Sequence, residues 1–387
     1  MQHSAQATRR WPISQHATAV LLLAGMAQAL SLAWPFDGAF KGDAQGWLQC
    51  MSLAVLAFHI DRSQSGKEAF VKAWVFALAW LAGSIWWLFI SMHRYGGLAA
   101  PVAGLAVGLM AGGLALFYAA AAAVYHAICK TGVGVLPRAG AFAAVWVLAE
   151  MVRGTLWTGF PWGAVGYAHV DSLLQHWAPW MGVYGLCALS AFMAMAVAAE
   201  RKDNRPTTRA TQLVVAAIVA VLGYTWFMSP SQSVDEEALS KKPLSVTLLQ
   251  GNIPQDLKFG EGVSLALRDY REALLSSTSD LTVTPETAIP LIQQQMPERY
   301  WSQLETHFSK GKQAALIGLP LAQRSEQGQL QYSNSAIALM PQTTPASTAS
   351  YQYDKHHLVP FGEFVPPLFQ WFVRMMNIPL GDFNRGD

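Results

Sequence analysis

The stretch YDKHHLVPFGEFVP, residues 353–366, sets a lysine, two histidines and a glutamate around two prolines and a glycine. Lys355 and Glu363 lie eight residues apart. Pro360, Gly362 and Pro366 can fold the chain so that both side chains reach one place. An ammonium held there can stabilise an oxyanion, and a carboxylate can position it or carry a proton. A solvated polar turn is the alternative. A second acidic position is Glu286, in VTPETAIP (283–290), which closes a β-branched run. Strand ends are where an α/β domain exposes reactive groups. Taken singly, Glu286 and Lys355 read as turn residues, and their meaning comes from the combination. His356 and His357 are adjacent, so their side chains should diverge on an extended segment. No third ligand is near, and no metal role is expected.

The elements that must position these residues differ sharply between the two parts of the chain. Of 387 residues 52% are hydrophobic and 13% charged, against about 25% charged in an ordinary soluble protein. The long apolar runs fall in residues 1–230. A linker (231–243) and a soluble-type segment (244–387) follow. A bilayer core needs about 20 apolar residues as helix. Candidate spans are 16–35, 46–60, 69–92, 102–128, 139–156, 177–199 and 211–229, the second and fifth being short. Eleven Lys and Arg residues, from Arg9 to Arg209, fall on one side of these spans. Only Lys41, Arg94 and Arg153 fall on the other. That bias predicts a cytoplasmic N-terminus and an outer, periplasmic location for 244–387. The tryptophans at span ends, Trp80, Trp86, Trp87, Trp162 and Trp180 among them, read as an interfacial belt. Glu150 and Arg153, three apart on one helical face, can pair ahead of the aromatic turn Gly159–Gly163, either closing a helix end or rimming a groove expected beneath the soluble-type segment. A net charge of +2 gives no argument for nucleic acid.

Residues 244–250, 280–286, 314–320 and 335–340 read as strands, and 261–276 and 298–309 as helices. In the first helix Leu265, Leu267, Tyr270, Ala273 and Leu274 fall on or near one face. The alternation predicts a layered α-β domain. No Gly-rich phosphate loop is present. Cys50, Cys129 and Cys187 all lie in apolar runs. Their odd number and wide spacing indicate neither a disulfide framework nor a metal site.

A strand ending in Pro-Glu-Thr-Ala-Ile-Pro, followed about 70 residues later by the opening motif, resembles the nitrilase superfamily of carbon–nitrogen hydrolases. With the preceding membrane spans, the chain resembles the apolipoprotein N-acyltransferase family. TGFPWG (158–163), WAPWMGVYG (177–185), QGNIPQ (250–255), TPETAIP (284–290) and YSNSA (332–336) share in the likeness. The resemblance implies a multi-pass α-helical membrane module followed by an α-β-β-α nitrilase-like sandwich carrying a Glu-Lys-Cys triad. Glu286 would be the general base, Lys355 the oxyanion-stabilising cation and Glu363 a second essential glutamate that positions the others. Trp162 and Phe259 would contact substrate. The implied reaction moves a fatty acyl chain from a phospholipid, through a thioester, to the α-amino group of a diacylglyceryl-cysteine. The acceptor is a modified apolipoprotein at the bacterial inner membrane. No metal or organic cofactor is implied.

The sequence also departs from that pattern. In the family the nucleophilic cysteine lies on a later strand than the Lys355–Glu363 segment, and the chain stops at GDFNRGD (381–387). The sandwich is therefore expected to be partial and C-terminally truncated, with open sheet edges, and residues 1–387 to be inactive as they stand. Phe259 and Thr284 occupy positions where tryptophan is usual. A membrane-tethered carbon–nitrogen amidase using water as acceptor and a non-catalytic membrane remnant or carrier remain as alternatives.

Overall fold

The computed structural model describes residues 13–129, 133–156, 159–203, 223, 243–254, 257–258, 260–324, 328–341, 351–359, 362–364 and 383–386. The chain divides into two compact units, Met1–Gln232 and Ser233–Asp387.

The first unit is helical. It contains α1 (Gln15–Leu30), α2 (Gly46–Asp61), α3 (Gly66–Ile85), the one-turn α4 (Trp87–Ile90) leading into a π-helical turn (Ser91–Tyr95), α5 (Ala100–Ile128), α6 (Val135–Thr155) and α7 (Ala178–Asp203). Among the described residues four stretches are long and apolar enough to cross a membrane: Gly66–Ile85, Ala100–Ile128, Val135–Thr155 and Leu173–Ala199. α1 and α2 have 16 residues each, or about 24 Å at 1.5 Å per residue. The expected seventh span, 211–229, lies outside the described residues. α3 starts at Ser65, whose hydroxyl caps the Glu68 N–H (3.2 Å). α1 packs closely on α3 because Gly25 has no side chain. A Cβ there would run into the Phe76 carbonyl and the Ala79 methyl. Small residues at such crossings bring membrane helices close enough for van der Waals attraction to hold them.

Trp80 is not part of an interfacial belt. It is fully buried and stacks on Trp146, with ring centroids 6.0 Å apart. A span-end reading fails for it because its helix face points into the bundle. Trp86, Trp162 and Trp180 are exposed, as belt residues would be. Buried charges are paired, as a low-dielectric interior requires. Arg138 meets Asp61 at 2.9 Å, and the Tyr125 hydroxyl donates to the other Asp61 oxygen (2.9 Å). Arg153 meets Glu150 at 2.8 Å, and both side chains are fully buried. The same guanidinium also donates to the carbonyls of Phe160 (2.6 Å) and Trp162 (2.7 Å). Arg153 therefore ties the aromatic turn onto the end of α6, which favours the helix-closing reading of the pair.

The second unit carries one five-stranded sheet, β1 (Val246–Leu248), β2 (Leu281–Val283), β3 (Ala314–Arg324), β4 (Leu330–Leu339) and β5 (Tyr351–Asp354), in that spatial order. β1, β2 and β3 run parallel, and β3–β4 and β4–β5 are antiparallel. Parallel neighbours need long crossovers. Here α8 (Gly262–Ser276) links β1 to β2 and α9 (Tyr300–Lys310) links β2 to β3. Tyr300, Leu304 and Phe308 recur at four-residue intervals and pack with Leu267 and Leu274 on Ala315, Ile317, Leu319, Leu321, Ile337 and Leu339. Leu265 does not join them: it is exposed, and Ala266 is buried in its place. Side chains alternate across a strand. Asn334 and its β5-side neighbour Lys355 therefore lie on the opposite face from the one the two helices cover. Among the described residues the unit is one helical layer on one sheet.

Candidate active site

Glu286 follows the C-terminal end of β2, three residues after Val283. Asn334 lies within β4, paired with Pro320 of β3. Lys355 comes directly after β5, and its N–H donates to the Asn334 carbonyl (2.8 Å), continuing the ladder by one residue. Glu363 sits in the turn beyond. Its N–H donates to the Val359 carbonyl (2.9 Å), and the Val359 N–H donates to its Oε2 (2.7 Å). That reciprocal pair fixes both backbone and carboxylate. A last segment packs alongside: Phe383 N–H donates to the Glu363 carbonyl (2.8 Å), Asn384 N–H to Tyr332 (2.7 Å) and Gly386 N–H to Lys355 (3.1 Å).

These four side chains meet. Lys355 Nζ donates to Glu286 Oε1 (2.9 Å) and to Glu363 Oε1 (3.0 Å). Asn334 Nδ2 donates to Glu363 Oε1 (2.6 Å) and also to Glu286 Oε1. One ammonium and one amide thus bridge two carboxylates that would otherwise repel. Exposure is graded across the cluster. The Glu363 side chain is 11% exposed, Lys355 26% and Glu286 60%. Glu363 is the anchored carboxylate and Glu286 the one open to a reactant.

Burial alone would raise the Glu286 carboxyl. The hydrogen bonds from Lys355 and Asn334, with the charges of Lys355 and Lys258, outweigh it and hold the group below its ordinary value. Burial alone would lower the Lys355 ammonium. Its hydrogen bonds to Glu286 and Glu363 and their charges reverse that and raise it. Each partner stabilises the charged form of the other. Lys258, on the loop after β1, adds a weak contact from its ammonium to the Glu286 carbonyl (3.4 Å).

The structure therefore brings together Glu286, Lys355 and Glu363, residues 69 and 8 positions apart. Phe259 lies outside the described residues. Trp162 belongs to the other unit, where its ring meets Phe160 at 5.0 Å and Trp87 at 6.0 Å. Asn334 was not singled out from sequence. The available signal is its residue type, since asparagine is depleted in strands and here interrupts a run of small and apolar residues. His356 and His357 do not diverge. Their rings meet edge to face at 4.8 Å, because the backbone bends after Lys355 instead of staying extended. His356 Nδ1 lies 2.9 Å from the Gly386 carbonyl. All three cysteines lie in the first unit. Cys187 is fully buried, with the Gly166 N–H donating to its sulfur (3.2 Å).

A carboxylate and an ammonium in contact, one partly open, suit acyl transfer. The carboxylate can take a proton from an attacking group, and the ammonium can stabilise the oxyanion that forms. Comparison with known proteins points the same way. The family model described as apolipoprotein N-acyltransferase N-terminal domain matches residues 12–196. An apolipoprotein N-acyltransferase of Verminephrobacter eiseniae is 46% identical over 376 residues, covering 94% of this chain and 67% of that protein. One from Ralstonia nicotianae is 40% identical over 353 residues, covering 90% and 64%. One from Chromobacterium violaceum is 32% identical over 385 residues, covering 97% and 70%. The chain thus spans about two thirds of the length of these relatives.

Proposed function

The chain belongs to the apolipoprotein N-acyltransferase family, an enzyme family of bacterial membranes, and from that premise we propose that its second unit carries the base and the oxyanion cation of a lipoprotein N-acylation reaction. The observation that supports this is the Lys355 ammonium held between Glu286 and Glu363 with Asn334 bridging the two carboxylates. The acyl donor is a phospholipid and the acceptor the α-amino group of a diacylglyceryl-modified N-terminal cysteine. The unit is a partial α-β-β-α sandwich, with one sheet and one helical layer among the described residues, and it stands on the periplasmic side of the inner membrane.

In the first half-reaction Glu286 takes the proton of a cysteine thiol as the sulfur attacks the ester carbonyl. The carbonyl oxygen becomes an oxyanion beside Lys355 Nζ. The carbon–oxygen ester bond then breaks, Glu286 returns its proton to the departing lysophospholipid oxygen, and a thioester remains. In the second, Glu286 accepts a proton from the incoming amine, the amide forms, and the proton goes to the departing thiolate. A thiol of ordinary pKa about 8.5 and an α-amine near 8 both need such a base at neutral pH. The lowered Glu286 is ionised there, and Glu363 and Asn334 keep Lys355 aimed. Trp162 and Phe259 supply apolar contacts to substrate. Cys50, Cys129 and Cys187 are packed in the first unit and do not supply the thiol, so residues 1–387 by themselves form no thioester.

The test is an assay with labelled phospholipid, run with and without a diacylglyceryl lipopeptide. A form of the chain that carries a cysteine at the Glu286–Lys355 site should N-acylate the lipopeptide, and Glu286→Gln and Lys355→Met should each lower the rate at least about 100-fold. Fatty acid release without acceptor, at an equal rate, would replace this reading by the amidase-like one with water as acceptor. A hydroxylamine-sensitive label on residues 1–387 alone would refute the statement that they form no thioester.

A further inference from the structure

β2 and β3 pair in parallel only as far as Val283 and Leu316. The Thr284 N–H still reaches the Leu316 carbonyl (3.0 Å). The regular pairing stops there. The next free donor on β3, the Gly318 N–H, goes instead to a side chain, Thr284 Oγ1 (3.0 Å). The carbonyl of the same Gly318 accepts the Ile289 N–H (3.2 Å) after the loop has turned. Both polar backbone groups of one β3 residue therefore hold the two ends of Thr284–Ile289, with Glu286 between them.

The missing side chain of Gly318 matters as much as its backbone. A Cβ there would run into the Pro285 carbonyl, the Glu286 Cα and the Thr287 nitrogen. The Glu286 backbone thus lies directly on β3. The next residue, Thr287, has φ +50°, a left-handed conformation that a β-branched residue rarely adopts. Such strain persists only where the surroundings over-determine the backbone. Here the surroundings are the two Gly318 bonds and the close contact at its α-carbon.

We infer that Thr284 and Gly318 are positioning residues for Glu286: with both backbone groups of Gly318 taken by the Thr284 hydroxyl and the Ile289 N–H, the Glu286 backbone lies on β3 so that its carboxylate reaches Lys355 and Asn334. This rests on reading Glu286 and Lys355 as the reactive pair, so the test reads their geometry without any acyl transfer. Two carboxylates on the Lys355 ammonium keep it protonated and slow to react. Peptide-mapped reductive methylation of residues 1–387 in detergent, across alkaline pH, measures that reactivity. Lys310 and Lys312 serve as internal references.

Glu286→Gln sets the benchmark, a severalfold faster labelling of Lys355. Thr284→Val, nearly isosteric but without the hydroxyl, should approach that rate, as should Gly318→Ala. Thr284→Ser, which keeps the acceptor oxygen, should label as the unsubstituted chain does. A Lys355 rate unchanged in Thr284→Val would overturn the positioning role and leave the ion pair standing. So would a rise shared equally by Lys310 and Lys312, which reports general loosening. If Glu286→Gln itself leaves Lys355 unchanged, the ion pair falls, and with it the reading of the site.

Discussion

At the scale of single residues, the site depends on the charge states of Glu286 and Lys355, and those define a pH window. Glu286 is lowered from 4.5, so its contribution to stability is present above about pH 4.5 and is lost as pH falls through the lowered value. Lys355 is raised from 10.5, so its contribution is present below about pH 10.5 and is lost as pH rises through the raised value. The difference in melting temperature between the chain and its Glu286→Gln variant should therefore be a plateau between these limits and shrink beyond both. A difference that grows below pH 4 would contradict the ion pair. Both side chains keep contact with solvent, so the plateau should be modest. Asn334 is nearly buried, and Asn334→Ala removes a donor from two carboxylates at once. Thermal melts should show a loss of about 1–3 kcal/mol, and Asn334→Asp should lose more, since it adds a third carboxylate around one ammonium. Glu286, Lys355 and Glu363 could be picked from sequence because charged residues among prolines and glycines stand out. Asn334 did not, because the need for it appears only when two carboxylates are seen to share one oxygen-rich corner.

At the scale of elements, the helices of the second unit were legible to within two residues, since their apolar spacing is regular. The strands were less so. β4 begins at Leu330, five residues before its apolar run, because pairing with β3 carries Leu330–Asn334 into the sheet. β5 has the alternation Tyr-Gln-Tyr-Asp, but pairing with β4 decides it, and sequence reading placed no strand there. In the first unit the Asp61–Arg138 pair joins α2 to α6 inside an apolar bundle, where the cost of one unpaired charge exceeds the attraction of the pair. Asp61→Asn should therefore cost about 3–5 kcal/mol in detergent melts. The double change Asp61→Leu with Arg138→Met should recover most of that loss. Equal losses in the single and double variants would show that the packing volume, not the charge, is what matters.

At the scale of the whole molecule, the lysine and arginine bias predicts which side each unit faces. In a cysteine-free background, Gly328→Cys in the second unit should react with an impermeant maleimide in intact cells. Ser65→Cys, between α2 and α3, should react only after the membrane that holds the first unit is opened. The reverse result would invert the proposed orientation. That two units exist was readable from composition, because apolar runs stop near residue 230. How a sheet of mixed direction forms was not, because its pairings join distant segments. Those distances set the order in which the cluster can assemble. The contacts of Lys355 with Glu286 and of Asn334 with Glu286 and Glu363 close loops of 69, 48 and 29 residues, and non-local contacts of this kind form late and slowly. On a chain made from its N-terminus, Glu286 appears nearly seventy residues before the ammonium it pairs with. Until then Glu286 has no Lys355 ammonium to pair with. The separation in sequence therefore makes the four-residue cluster one of the last features of the second unit to assemble.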